Sequence, residues 1–361
     1  MSQELQLVAS AAIAALITLA AVPVARFLAV RTNTFDHPIG YKTHSRSTPY
    51  LGGAAVIGSV VLVAAAFSRA FPDYDTLFLV TLALCALGTL DDRVGLPVGP
   101  RLVAQGAAAI ALYASGVHWE FGAGAGVDVA VTVLWVIGVV NAFNLMDNLD
   151  GATAATGAVA ALGVGLLAAV EEVWPLAELM LALSAACGVF LVFNLSRPSR
   201  IFLGDGGSMP IGFLIAGGVM ALPQGELSGW ALPAVVPLAG LVILDTTLVV
   251  ISRRRRGRPV LSGARDHLTH RLLGRLGSAR AVALALAAGQ ALLAVLAIAL
   301  YQASAEVIAV ATLAYVAVGL GALWLLESPG WHSPQMREQA ADVQATTRPA
   351  RPSKPLLESS G

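Results

Sequence analysis

The sequence predicts an all-α, polytopic membrane bundle of eleven spans, with the N-terminus outside and the C-terminus in the cytoplasm. Three observations carry that expectation. Hydrophobic residues make up 57% of the 361 and charged residues only 12%, where a soluble domain carries about a quarter charged, and mean hydropathy is +0.76. Apolar runs suited to crossing about 30 Å of hydrocarbon recur at residues 5–30, 51–71, 76–90, 101–117, 127–143, 152–170, 176–195, 208–222, 230–252, 279–301 and 304–326. With eleven spans, the loops after odd-numbered spans share one side with the C-terminus, and all of the 22 Lys and Arg residues except Arg69 lie there. Cationic excess marks the cytoplasmic face.

The first run is too long for a removed signal peptide and lacks the positive n-region and small-residue cleavage site, so it is expected to remain a helix. Cys85 and Cys187 fall inside apolar runs without partner spacing and read as small core residues. No solenoid repeat and no inverted pair of broken helices is visible. From about Ser328 the chain mixes Pro, Ser, Thr, Arg and Gln, a composition that cannot bury a core. Residues 1–327 are therefore expected to form one membrane-embedded domain, and 328–361 a disordered cytoplasmic tail.

Acids of the outer loops show no pattern, whereas every organised polar motif falls on the cytoplasmic side. The first of these loops, DHPIGYKTHSRSTPYLGG from Asp36 to Gly53, offers Lys42 and His44 as possible phosphate holders on a backbone bent by Pro and Gly; a basic loop that merely obeys the charge rule reads the same way. Asp91 and Asp92 end the third span. Adjacent carboxylates repel, which raises one pKa and leaves a group suited to base or metal chemistry, although a solvated helix end has the same sequence. NAFNLMDNLDG, Asn141 to Gly151, sets amides and carboxylates between two apolar runs, where polar groups are costly. Asp147 and Asp150, three apart, would face one way on a helical turn; a polar loop with a helix cap at Asp150-Gly151 is the plainer alternative.

After the seventh span comes FNLSRPSRIFLGDGGSMPIGF. Glycines around Asp205 let amides converge on an anion while the carboxylate takes a cation. Ser208 is expected to cap the next helix, and Phe202 is an aromatic face that could stack a base or anchor the interface. Asp245, inside the ninth span, should face the bundle interior, as support for a site or as a structural hydrogen-bond partner. In RRRRGRPVLSGARDHLTHRLLGRLG, Arg253 to Arg256 read as topological anchors that attract anionic headgroups. His267 and His270 share a helical face beside Arg271, a set better suited to a diphosphate than to Zn²⁺, which would want further ligands.

These motifs together resemble the polyprenyl-phosphate N-acetylhexosamine-1-phosphate transferases, glycosyltransferase family 4. The resemblance runs from about Asp36 to Leu272 in the family's order. Asp91-Asp92 looks like its paired Asp, NAFNLMDNLDG like NAxNxxDGxDG, FLGDGGS like FMGDxGS, and Asp245-Thr246 like its intramembrane Asp-Thr. Two spans after the His loop, and no Phe-Glu following the histidines, resemble the WecA-like branch more than MraY.

The resemblance implies a bacterial, multi-pass plasma-membrane enzyme with its active site facing the cytoplasm. It implies transfer of a HexNAc-1-phosphate, GlcNAc-1-phosphate foremost, from a UDP-N-acetylhexosamine to undecaprenyl or decaprenyl phosphate, releasing UMP and opening a cell-envelope glycan such as lipopolysaccharide, teichoic acid or arabinogalactan. Mg²⁺, with Mn²⁺ as a substitute, would be the cofactor. Asp205 would ligate the metal, with Asn144 and Asp147. Asp91 or Asp92 would act on the lipid phosphate, and Asp147, Asp150, His267 and His270 complete the implied catalytic set. Lys42, His44, Asn144, Asn194, Phe202 and Arg271 would bind substrate, Phe202 stacking on uracil and Lys42, His267, His270 and Arg271 holding the diphosphate. The partners it implies are membrane lipids and, in a homodimer, a second copy of the chain; no nucleic acid is implied. Direct attack and a covalent aspartyl intermediate both remain open.

The sequence departs from the family at Thr269 (His in many members), Asn148 (Gly), Arg101 (Lys), Ser47 (Pro) and Tyr50 (Arg). Arg101 keeps the charge, Thr269 keeps a hydroxyl, and Asn tolerates left-handed backbone, so donor choice is what these changes affect most. An intramembrane aspartyl protease would need Gly-x-Gly-Asp, and Phe202-Leu203-Gly204-Asp205 fails. A CDP-alcohol phosphotransferase would need Asp-Gly followed by Ala-Arg, and Asp150-Gly151-Ala152-Thr153 fails. An ion-coupled transporter would place acids mid-span, whereas here Asp245 alone lies deep.

Overall fold

The computed structural model describes residues 2–36, 48–67, 74–223, 231–260 and 265–331. It is an all-α bundle. Its helices are α1 (Gln3–Arg31), α2 (Gly52–Phe67), α3 (Asp75–Val94), α4 (Val98–Ala114), α5 (Ala125–Met146), α6 (Ala152–Val170), α7 (Trp174–Asn194), α8 (Asp205–Met220), α9 (Ala231–Val235), α10 (Gly240–Arg255), α11 (Leu268–Leu276), α12 (Ala279–Tyr301) and α13 (Ala305–Leu326). A two-residue antiparallel bridge joins β1 (Phe35–Asp36) to β2 (Thr48–Pro49) at the ends of the first polar loop.

Each of the eleven apolar runs contains helix. Seven spans are long and apolar enough to cross a membrane among the described residues: α1, α5, α6, α7, the α9–α10 pair, α12 and α13. The helices in the other four runs are shorter, as α2, α4 and α8 are, or carry a charged end, as α3 does with Asp91-Asp92-Arg93. The run at 230–252 is not one regular helix. A 3-10 turn at Val236–Ala239 separates α9 from α10, because Pro237 has no N–H to donate and its ring crowds the preceding turn. Gln290 of α12 donates to the carbonyls of Pro237 (3.2 Å) and Leu238 (2.9 Å), satisfying groups the break sets free.

The core is built round α8, in which every residue from Gly206 to Met220 is buried. It packs against α3 and α5, with α2 and α6 also in contact. Small side chains allow this crowding. A Cβ at Gly53 of α2 would run into the Gly206-Gly207 backbone, and the Gly53 N–H donates to the carbonyl of Leu203 at 2.9 Å. Outer helices instead show apolar side chains to the surroundings, among them Leu16 on α1 and Leu313, Val318 and Trp324 on α13, as expected where lipid is the solvent. α8 begins at Asp205, three residues before the expected cap. Gly204 is its N-cap, and Ser208 lies inside the first turn. Cys85 and Cys187 are free and buried.

Candidate active site

Where α3, α5, α7 and α10 end and α4 and α8 begin, polar side chains line a cavity of about 720 Å³. Its floor is the turn into α8. Gly204 has φ +72°, and a Cβ there would collide with the Asp92 carboxylate, so glycine is required on both counts. Asp92 accepts the backbone N–H groups of Asp205 (2.9 Å) and Gly206 (3.2 Å), fixing α3 to the first turn of α8. Asp205 projects from that turn. Its Oδ1 accepts from Asn144 Nδ2 at 2.7 Å, and the same amide reaches Ser208 Oγ at 3.0 Å. Its Oδ2 faces Arg101 Nη1 at 3.4 Å.

The adjacent acids at the end of α3 thus do different work. Asp92 lines the cavity, while Asp91 is buried, accepts the Leu96 N–H at 2.6 Å and holds Arg101 Nη1 at 2.8 Å. Asp91 is not among the residues lining the cavity; it bears on the site through Arg101 and through its own side-chain contact with Asp205. Neighbouring side chains on one helix point about 100° apart, so the two acids face different surroundings.

α5 stops at Met146, and Asp147 follows as its C-cap with ψ 42°. Asp147 and Asp150 therefore sit on a turn, not on a helix face, yet both reach the cavity. Asp147 accepts from the Gly204 backbone, and burial, followed by the Asp92 charge, pushes its pKa up to about 8. Asn194, ending α7, accepts the Gly151 N–H at 2.6 Å and donates to the Ile201 carbonyl at 3.0 Å, tying the Asp147–Asp150 turn to the strand-like segment before α8. Phe202 lines the cavity, with Tyr50 edge-on at 6.2 Å between ring centroids.

The opposite wall carries the histidines. Asp245, fully buried in α10, accepts from His267 Nδ1 (2.8 Å) and the Leu268 N–H (2.6 Å), an arrangement that leaves the other ring nitrogen of His267 for a ligand. His267 is the N-cap of α11 and His270 lies within it, their ring centroids 6.2 Å apart. Burial, then the charges of His267 and Arg265, push the His270 pKa down to about 4, so at neutral pH it is an uncharged donor or acceptor. Thr269 Oγ1 hydrogen-bonds Asn148 Oδ1 across the cavity rim, so two of the departures from the family pattern touch each other.

The structure brings Asp92, Asn144, Asp147, Asp150, Asn194, Phe202, Asp205, His267 and His270 to one cavity. Lys42 and His44 lie outside the described residues. Arg271 is elsewhere: 1% exposed, it donates to the Asp266 and Leu326 carbonyls, Ser252 Oγ and the Glu327 carboxylate. Its guanidinium is spent on protein groups because α11 turns that side away from the cavity. Conversely, Arg253 is no mere anchor. It is buried, lines the cavity and pairs with Asp266 through two bonds of 2.9 Å. A run of four arginines hides such a residue, since nothing in the run singles one out; the carboxylate of Asp266, 13 residues on, was the available signal.

Among the described residues no three His, Cys, Asp or Glu side chains form a ready metal cage. The donor set nevertheless fits Mg²⁺, which binds through one or two carboxylates plus water and substrate phosphate. Asp92 and Asp147 both meet Gly204, from whose turn Asp205 projects, Arg101 pairs with Asp205 at 3.4 Å, and burial with the Asp92 charge raises the pKa of Asp147.

An α-helical, multi-pass bundle with carboxylates, amides and imidazoles gathered at one end of its helices defines a membrane-embedded enzyme of the phosphate-handling kind. The sequence profile of glycosyl transferase family 4 matches residues 74–222. The chain is 32% identical over 299 residues to a decaprenyl-phosphate N-acetylglucosaminephosphotransferase of Mycolicibacterium smegmatis, covering 72% of this chain and 73% of that one. It is 31% identical over 300 residues to the protein of the same name from Mycobacterium tuberculosis, covering 72% and 74%. It is 26% identical over 281 residues, 74% and 78% of the two chains, to a probable undecaprenyl-phosphate N-acetylglucosaminyl 1-phosphate transferase of Bacillus subtilis. The chain belongs to glycosyl transferase family 4.

Proposed function

We propose that this protein transfers a HexNAc-1-phosphate, GlcNAc-1-phosphate foremost, from a UDP-sugar to a polyprenyl phosphate. A lipid-phosphate oxygen becomes bonded to the sugar-bearing phosphorus, the bond from that phosphorus to UMP breaks, and UMP leaves. The observation that carries this reading is the single cavity shared by Asp92, Asp147, Asp205, His267 and His270. It is supported by three relatives named as N-acetylglucosamine-phosphate transferases for decaprenyl or undecaprenyl phosphate.

Asp205 and Asp147 would hold Mg²⁺, with Asn144 orienting Asp205. When bound, the ion supplies charge neutralisation between the two phosphates. Asp92 holds the α8 turn and, at the cavity floor, is placed to meet the lipid phosphate. Arg101, oriented by Asp91, is the cation beside Asp205 and would face phosphate oxygens. His267, fixed by Asp245, and the uncharged His270 would donate to the diphosphate and stabilise charge growing on the UMP oxygen. Phe202 would stack on uracil. In this reading the cavity faces the cytoplasm at the plasma membrane, with the N-terminus outside and residues 1–327 in one membrane domain, which the apolar runs and the cation asymmetry support.

Asp205→Asn tests the assignment. The variant should fold, with an unchanged gel-filtration profile, and lose Mg²⁺-dependent UMP release by at least about 10²-fold; turnover at the wild-type rate would remove Asp205 from the metal site.

A further inference from the structure

α11 has nine residues, too few for a helix to hold its own shape in water, and yet it carries His270 and begins at His267. Its N-terminal end is fixed by Asp245. Its remaining turns are held by something remote in sequence, the turn that follows α13. Arg271 reaches Glu327 Oε1 at 2.7 Å and the Leu326 carbonyl, and Arg256 approaches Glu327 Oε2 at 3.6 Å. One helical turn on, Arg275 donates to the Gly330 carbonyl at 2.8 Å and lies 3.9 Å over the Trp331 ring. Trp331 is itself held in a short 3-10 turn, its N–H donating to Ser328 at 2.9 Å. Two successive arginines of α11, four apart and so on one face, therefore grip one five-residue segment, Glu327 to Trp331.

The geometry points to this segment as a positioning strap: Glu327, through Arg271, and Trp331, through Arg275, set where α11 presents His267 and His270 to the cavity. None of the strap residues lines the cavity, so they act on the substrate only through α11. Glu327 is the stronger grip, because its side chain is 6% exposed and that of Arg271 is fully buried, and a buried charge-assisted hydrogen bond costs more to lose than an exposed one. Exposed Arg275 and half-buried Trp331 form the outer grip.

The inference rests on the histidines serving the sugar-nucleotide donor, and the test separates the two. Full-length wild type, Glu327→Gln and the double variant Arg275→Gln/Trp331→Ala are purified in detergent and assayed for UMP release with UDP-GlcNAc, Mg²⁺ and decaprenyl phosphate. Amide hydrogen exchange is followed alongside. Glu327→Gln should raise KM for UDP-GlcNAc about tenfold or more and leave KM for the lipid within twofold. Exchange should rise across Leu268–Leu276 while α8 stays protected. The double variant should shift the same quantities in the same direction by a smaller factor, and it decides the matter if Glu327→Gln does not fold. Unchanged protection of α11 in both variants overturns the strap, as does an equal rise in both KM values, the mark of general loosening. Should wild type release no UMP from any UDP-sugar, the enzymatic reading fails, while the exchange data still decide whether the strap holds α11.

Discussion

At the residue scale, the site turns on carboxylates whose charges are incompletely matched by the protein. Asp147, with its pKa near 8, holds a proton at pH 7 that a cation must displace, so binding of Mg²⁺ should release protons. Below about pH 8 its apparent affinity should strengthen with rising pH, by up to tenfold per unit, then level off. Calorimetric titration of the purified protein between pH 6.5 and 8.5 checks the sign; affinity that is flat or falls with pH would contradict it. The same shift has a cost in stability, since a carboxyl whose folded pKa is raised weakens the fold as pH climbs from about 4 toward 8. Asn194 is a different case, a structural clip. Asn194→Ala would leave the Gly151 N–H and Ile201 carbonyl without their buried partner and should cost about 1–3 kcal/mol, read as a lower midpoint in thermal unfolding, with turnover falling as the Asp147–Asp150 turn loosens.

At the scale of elements, two devices position the chemistry. One is the junction of α3, α5 and α8, where Asp92 caps the first amides of α8 and Gly204 gives it room. The other is the docking of α11 against α10 through Asp245. Asp245→Asn keeps the shape but not the charge, and should lower turnover about ten- to a hundredfold, the equivalent of about 1.5–3 kcal/mol for a hydrogen bond to a charged group. Steady-state kinetics at fixed Mg²⁺ would show it; wild-type turnover would mean that His267 needs no such support. Helices and motifs were legible in the sequence because apolar runs and dense polar clusters are local signals. What was not legible depended on side-chain direction. Asp91 and Asp92 look alike in a string, yet one faces Arg101 and Leu96 and the other the α8 turn. Arg271 stands beside two cavity histidines and points to Glu327, 56 residues away. Arg253 looked like one of four equivalent anchors and pairs with Asp266. The break at Val236–Ala239 was signalled by Pro237, but long apolar runs mask such punctuation.

At the scale of the whole molecule, a lipid-facing exterior is joined to a polar cavity at one end of the bundle. That arrangement lets one substrate arrive along the membrane and the other from water. If the orientation is right, a cysteine introduced at Arg258 in a protein otherwise free of accessible thiols should react with an impermeant maleimide in inverted vesicles and not in intact cells; labelling from outside the cell would reverse the proposed topology. The central claim is sharper than topology, and its direct measurement is product formation. Purified full-length protein, given decaprenyl phosphate, Mg²⁺ and a panel of radiolabelled UDP-sugars, should convert a UDP-N-acetylhexosamine to a polyprenyl-diphospho-sugar with one UMP released per lipid glycosylated, and chelation of Mg²⁺ should stop it. Release of UDP in place of UMP, or no lipid-linked product from any donor, would contradict the account.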